Sequence, residues 1–164
     1  MSKKVPSPFN SSLESGVRAL TILTSIFPKS VDLQRLVDFD YLVVHSGDVN
    51  GPESLHAPLP LRAGELLVRR NIVEEGLLLM MSRGLLKRIV SANGFEYAAG
   101  EIANTYINSL SSPYLESLKV RAQWVVEKFS EIEEEELQRI TKQFFDQWTT
   151  QFHSDLGGTG VNDG

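Results

Sequence analysis

The sequence predicts a mainly α-helical protein with a winged-helix-like core, a short β-hairpin and a C-terminal helical extension. Three observations carry this. Apolar residues recur at steps of three and four over most of the chain. An Asn-Gly pair, Asn93-Gly94, stands between two short strand patterns. Helices followed by a two-stranded hairpin is the order of a winged helix. The expected organisation is an N-terminal arm over 1–10, a winged-helix-like domain over 11–110, helices over 111–153 and a disordered tail over 154–164.

The arm is expected to be extended, because Pro6 and Pro8 bias the residues before them away from helix. Ser11 with Glu14 three residues on is a capping-box pattern. Leu13, Val17, Leu20, Leu23 and Phe27 follow on one helical stripe, which Pro28 stops. Ser30 is the expected cap of a second helix, lined by Leu33, Leu36, Val37, Tyr41 and Val44 and ended by Gly47. Helical character resumes from Leu61 to Arg83, with a break expected near Asn71 or Gly76. Its run Leu77 to Met81 is apolar on more than one face, which predicts burial on several sides.

Gly84 ends that helix. Leu85 to Val90 and Phe95 to Ala99 are the expected hairpin strands, turning through Asn93-Gly94. A short helix over Glu101 to Leu110 precedes a longer one, opened by Ser112 as cap and Pro113 at the first helical position. Leu115, Leu118, Ala122, Val125, Phe129 and Ile132 form a heptad seam barely two heptads long. A core-facing helix explains it better than a coiled coil. A second capping-box pattern, Ser130 with Glu133, predicts a break there. Beyond it, Leu137, Ile140, Phe144, Trp148 and Phe152 make a stripe that either closes the core or docks on a partner. The tail from Gly157 is Gly-rich and poor in apolar residues.

Composition narrows the function. The 164 residues suffice for one domain with a proper core, and 41% hydrophobic with 23% charged is ordinary for a soluble globular chain. Zero cysteines exclude a disulfide scaffold, a Cys-ligated zinc site and a thiol nucleophile, and they fit a reducing cytosol. No apolar run follows Lys3 and Lys4 or reaches the roughly 20 residues of a membrane span, so neither signal peptide nor membrane contact is expected. Net charge is −5 and uneven: residues 127–164 hold nine acids against three bases, and the rest nets +1. Overall acidity disfavours stand-alone nucleic-acid binding, since phosphate contacts supply most non-specific affinity.

The densest chemistry lies between His45 and Arg70, a Pro- and Gly-rich loop that holds two of three histidines and runs into a paired arginine. His45, Asp48, Glu53 and His56 have the ligand types of a divalent metal site, but their spacing matches no standard signature. A structural role is the stronger reading, because Asn50-Gly51-Pro52 is ordinary turn chemistry. No nucleophile elbow and no phosphate-binding loop occurs. No cofactor is expected. Arg62, Arg69, Arg70, Arg83, Lys87 and Arg88 concentrate the basic charge, interleaved with Glu65, Glu74 and Glu75. Arg69 and Arg70 are either solvated or bridge to a partner or to the acids of the loop.

Several strings in order carry a resemblance. They are Ser7-Pro8-Phe9-Asn10, Leu13-Glu14, Arg18-Ala19-Leu20, Asp32-Leu33-Gln34-Arg35-Leu36, Asp40-Tyr41, His45-Ser46-Gly47-Asp48, Ser54-Leu55-His56, Gly64 to Arg70 and Gly76 to Leu85. The sequence resembles the middle component of ABC-three-component systems, the small subunit of Lamassu-type antiphage defence operons. The resemblance covers Ser7 to Phe129 and leaves the acidic segment and tail after Ser130 outside. It implies a non-catalytic assembly subunit whose partners are an SMC/Rad50-like ATPase and a nuclease-like effector, with DNA met only through the complex. No catalytic residue carries over. The partner-interface candidates are His45, Asp48, His56, Arg62, Arg69, Arg70, Leu137, Ile140, Phe144 and Trp148. The alternatives are a winged-helix DNA-binding regulator and a small metal-dependent hydrolase on His45, Asp48 and His56.

Overall fold

Ser11 starts the first helix as predicted: its hydroxyl accepts the Glu14 N–H, and α1 runs Ser12–Ser25. The computed structural model describes residues 11–56, 63–92 and 94–143, with backbone only over 63–67. The expected arm and tail, and Arg62, Phe144, Trp148 and Phe152, lie outside the described residues.

α1 is buried around its whole circumference from Ser15 to Leu23. The predicted single stripe is therefore too narrow, and its outer members Leu13 and Phe27 are half exposed. α1 lies at the centre of the molecule, packed by helices on several sides, so polar Ser15, Arg18 and Thr21 are enclosed with the apolar residues.

Ser30 does not cap the second helix. Val31–Asp32 forms a two-residue strand, β1, and Ser30 Oγ donates to Glu96 instead. Asp32 is the cap, its carboxylate accepting the Arg35 N–H at 2.8 Å. α2 then runs Leu33–Val44, two residues short of the last one before Gly47, because a 3-10 turn over Ser46–Val49 takes the chain into the loop.

α3, Ala63–Ser82, is unbroken at Asn71 and Gly76. Gly76 is there for contact: a Cβ on it would stand 2.5 Å from the Gly16 backbone nitrogen, so α1 and α3 cross glycine to glycine. Val73, Leu77 and Met80 are buried, but Leu78 is 57% exposed. Leu79 and Met81 are partly buried against the same core, so the Leu77–Met81 run is packed on more than one side, by α1, α2 and β2, and only Leu78 turns to solvent. Gly84, at φ +69°, terminates the helix. Its N–H reaches Met81 O and the Leu85 N–H reaches Met80 O, a Schellman ending.

β2, Leu86–Ser91, and β3, Gly94–Ala99, form the predicted hairpin. Ser91 pairs with Gly94, so Gly94 opens the strand instead of sitting at the turn centre. β1 pairs with the far side of β3, giving the antiparallel order β1-β3-β2. α4, Ala103–Ser109, leads to α5, Pro113–Phe129, whose cap Ser112 accepts the Leu115 N–H. Leu118, Ala122, Val125 and Phe129 are buried in the same core as α1 and α2, which makes the heptad seam a core face. The chain breaks after Phe129, where the Arg35 guanidinium holds the carbonyls of Ser130, at 3.0 Å, and Ile132. Helix resumes over 134–143, with Leu137 fully buried and Ile140 packed on the core. Among the described residues no helix is long and apolar enough to cross a membrane.

Candidate functional site

The loop after α2 closes on itself first. The Gly51 N–H donates to Ser46 O, the Ser46 hydroxyl to Pro52 O at 2.8 Å, and the Gly47 N–H to Ser54 Oγ. The Leu55 and His56 N–H groups return to Val44 O at the end of α2. Asn50 takes the left-handed conformation, φ 60°, that Asn tolerates in tight turns.

One face of α5 then grips the loop. Arg121 donates twice to Glu53 O, at 2.8 and 3.0 Å, and Lys128 Nζ donates to Val49 O. The Trp124 ring lies so close to Gly51 that a Cβ there would come within 2.4 Å. Lys128 stands over that ring at 4.9 Å. Tyr114 meets His56, hydroxyl to Nε2 at 3.1 Å, with the two rings parallel. Tyr114, Arg121, Trp124 and Lys128 are spaced to share one helical face.

Beneath the loop lies a buried charge cluster. Asp40 of α2 receives Arg18 Nε of α1 at 2.8 Å on one carboxylate oxygen and Arg69 Nη1 of α3 at 2.6 Å on the other. Burial by itself would raise the Asp40 pKa, but the two guanidiniums outweigh it and hold the carboxyl below its ordinary value. Burial likewise opposes the charge on Arg18; Asp40, and then Tyr114, overcome it and raise its pKa. Arg69 also lies over the Tyr41 ring at 5.6 Å, and Tyr41 donates its hydroxyl to Asp48. His45 packs edge-on to His56 and against Tyr41. Burial first, and the neighbouring arginines second, lower both histidines to about 4, so both are neutral at pH 7. Two neutral rings beside two cations and one shared carboxylate make a cluster that joins α1, α2, α3, α5 and the loop.

The predicted site residues separate in the structure. His45, Asp48 and His56 come together, but as packing and hydrogen-bonding partners of Tyr41 and Tyr114. Among the described residues no group of three or more His, Asp or Glu is placed to hold a metal ion. Arg69 does not bridge to the loop acids; its partner is Asp40 of α2. Arg70 donates to Gln34 Oε1 at 3.1 Å. Leu137 is buried in the core, which takes it off any free stripe. Sequence reasoning missed Arg18, Asp40, Tyr114, Arg121 and Trp124. One signal was available: α1 carries a single base, Arg18, and α2 carries Asp38 and Asp40 among its apolar residues, and buried charges come in pairs.

The chain is a helical module in which the buried charges of Arg18, Asp40 and Arg69 hold three helices together beside a small antiparallel sheet. The chain belongs to the family described as ABC-three component (ABC-3C) system Middle Component 2, whose model matches residues 8–151. The match extends past Ser130, so the acidic segment, left out of the resemblance by its sequence, is part of the family. Membership makes the chain one component of a system of several, and so a protein with protein partners. No curated protein and no solved structure matches it.

Proposed function

We propose that the chain is a non-catalytic assembly subunit of a bacterial antiphage defence complex of the Lamassu type. It binds the SMC/Rad50-like ATPase in the cytoplasm, and helps couple DNA sensing to a nuclease-type effector. The family match over residues 8–151 is the observation that carries this reading. The fate of the polar residues supports it. His56, which invited a metal reading, meets Tyr114, and the paired arginines meet Asp40 and Gln34.

The element order helix, β1, helix, helix, hairpin, with sheet order β1-β3-β2, supports a winged-helix-like core over 11–110, followed by C-terminal helices over 111–153. Of the interface candidates, Asp48, Arg70 and Ile140 keep partial exposure, as do His56 and Arg69, which Tyr114 and Asp40 engage from within, whereas His45 and Leu137 act from beneath the surface. Arg62, Phe144 and Trp148 keep their place among the candidates on sequence grounds.

Co-expression with the ATPase subunit of its own system tests the proposal. The expected outcome is a complex that survives size-exclusion chromatography at micromolar concentration. A folded chain that elutes alone in the presence of that ATPase and of the effector would sink it.

A further inference from the structure

Among the described residues one edge of the sheet has no partner strand. β2 is an outer strand of six residues, Leu86–Ser91, and among the described residues no strand lies beyond it. In an antiparallel pair alternate residues turn their N–H and C=O groups away from the partner strand. Among the described residues no backbone hydrogen bond from outside the sheet reaches those groups between Lys87 and Val90. The four residues Lys87, Arg88, Ile89 and Val90 are all exposed, so both faces of the strand are open.

Edge strands of this length are ordinarily blunted by a bulge, a proline, charged side chains or a covering loop, and the charges of β2, Lys87 and Arg88, stand at one end and leave Ile89 and Val90 uncharged. β2 pairs with β3 in unbroken register from Leu86↔Ala99 to Ser91↔Gly94, and it contains no proline. Its tip is apolar as well: Val90 is 78% exposed, and its cross-strand partner Phe95 is 52% exposed. Arg88 lies over the Phe95 ring at 4.3 Å, and Lys87 stands on the opposite face of the strand. Backbone groups of Lys87 to Val90 that no described strand takes up, apolar side chains on both faces and one cation on each face together define an occupant. It is an extended chain, it carries carboxylates opposite Lys87 and Arg88, and apolar residues accompany them.

We propose that β2 is a strand-addition site for an acidic, partly apolar extended segment of a partner subunit. This inference rests on the assembly role proposed above and names the surface that performs it. Backbone pairing supplies affinity in this mode, and the side chains of alternate residues supply selection. Duplex DNA is the less suited occupant of the same hairpin. Two cations provide few phosphate contacts, and phosphate pairing leaves Ile89, Val90 and Phe95 unburied.

The test is amide hydrogen exchange on the full chain, alone and bound to the ATPase subunit, together with the variant K87E/R88E. Both positions are exposed, so the variant is expected to fold. The expected result is exchange slowed about tenfold or more within residues 86–91 on complex formation, with a Kd about tenfold weaker for the charge-reversed chain. A stable complex with unchanged exchange over β2, or one indifferent to the charge reversal, overturns the site while the assembly role stands. Failure to bind any subunit of the system overturns both. Protection of β2 that appears on adding duplex DNA alone, or on raising the concentration of the isolated chain, overturns the proposal in favour of DNA or of a second copy.

Discussion

Asp38 and Asp40 stand two residues apart on α2, and both are nearly inaccessible to solvent. They titrate in opposite directions. Asp40 has a guanidinium on each oxygen and is held ionised. Asp38 has only the Gln34 amide, at 3.3 Å on Oδ1, and its other oxygen is buried without a hydrogen-bond partner. Burial is the main cause that raises its pKa from 3.8 to about 7; Glu134 and Asp32 nearby add to it. The folded chain therefore holds this proton more tightly than the unfolded chain does. The stability Asp38 contributes is present below pH 3.8 and is lost as pH rises to about 7. Asp38→Asn imitates the protonated acid at every pH. It is expected to stabilise the fold by about 2 kcal/mol at pH 8, less than the full shift implies, because the new amide N–H is itself short of an acceptor. The gain should shrink steadily as pH falls toward 4. Thermal melts of both proteins across that range check it, and a pH-independent difference would refute the buried-proton account. The two histidines act with the opposite sign: neutral when folded, they cost stability as pH falls from 6.5 to about 4. The comparison of Asp38→Asn with the parent at each pH cancels their contribution.

At the scale of elements, the glycine crossing of α1 and α3 sets how closely the two helices approach. In an exposed helix, Gly→Ala stabilises by about 1 kcal/mol. At Gly76 the sign should reverse. The added Cβ would meet Gly16 N at 2.5 Å and Gly16 Cα at 2.9 Å, and backbone cannot yield as a side chain can. Overpacking costs about 1–3 kcal/mol, so a net loss of about 2 kcal/mol is expected for Gly76→Ala, read as a lower urea midpoint at unchanged m-value. Gly76 also shows what the sequence concealed. As a sequence feature it suggested a break, because propensity registers only its weakness in a helix; the contact that requires it comes from α1, sixty positions away. The caps at Ser11 and Ser112, the Gly84 stop and the hairpin were legible, since each rests on chemistry within a few residues. β1 was not, because two residues carry no period and their pairing partner lies on β3. The clasp divides the same way. The turn chemistry of Asn50-Gly51-Pro52 is local and was readable; the grip of Arg121, Trp124 and Lys128 depends on where α5 docks.

For the whole molecule, the sharpest question is whether a winged-helix-like order brings DNA binding with it. In that architecture the helix before the hairpin enters the major groove. Here that helix is α3, and its exposed positions include Val68, Asn71, Glu74, Glu75, Leu78 and Ser82. The face a groove would receive thus carries two carboxylates and two aliphatic side chains where phosphate and base-edge contacts need cations and polar groups. Of the bases on α3, Arg69 is spent on Asp40 and Arg70 on Gln34, and the exposed Arg83, Lys87 and Arg88 stand at its end and on the hairpin, away from Glu74 and Glu75 along the helix. With a chain charge of −5, non-specific attraction is weak from the outset. The isolated chain is therefore expected to bind a duplex no more tightly than about 100 µM at physiological salt, the weak end of non-specific binding. The charge reversal E74K/E75K should bring binding toward about 10 µM with a steeper salt dependence, because the fold already presents this face to solvent. Fluorescence anisotropy with a labelled duplex over a salt series decides it. Micromolar binding by the parent chain, falling steeply with salt, would mean that another surface meets the phosphates and would restore the DNA-binding regulator. Weak binding by both proteins would instead mean that the outer face of α3 cannot enter a groove whatever its charge, which leaves its exposed Val68 and Leu78 to protein contacts.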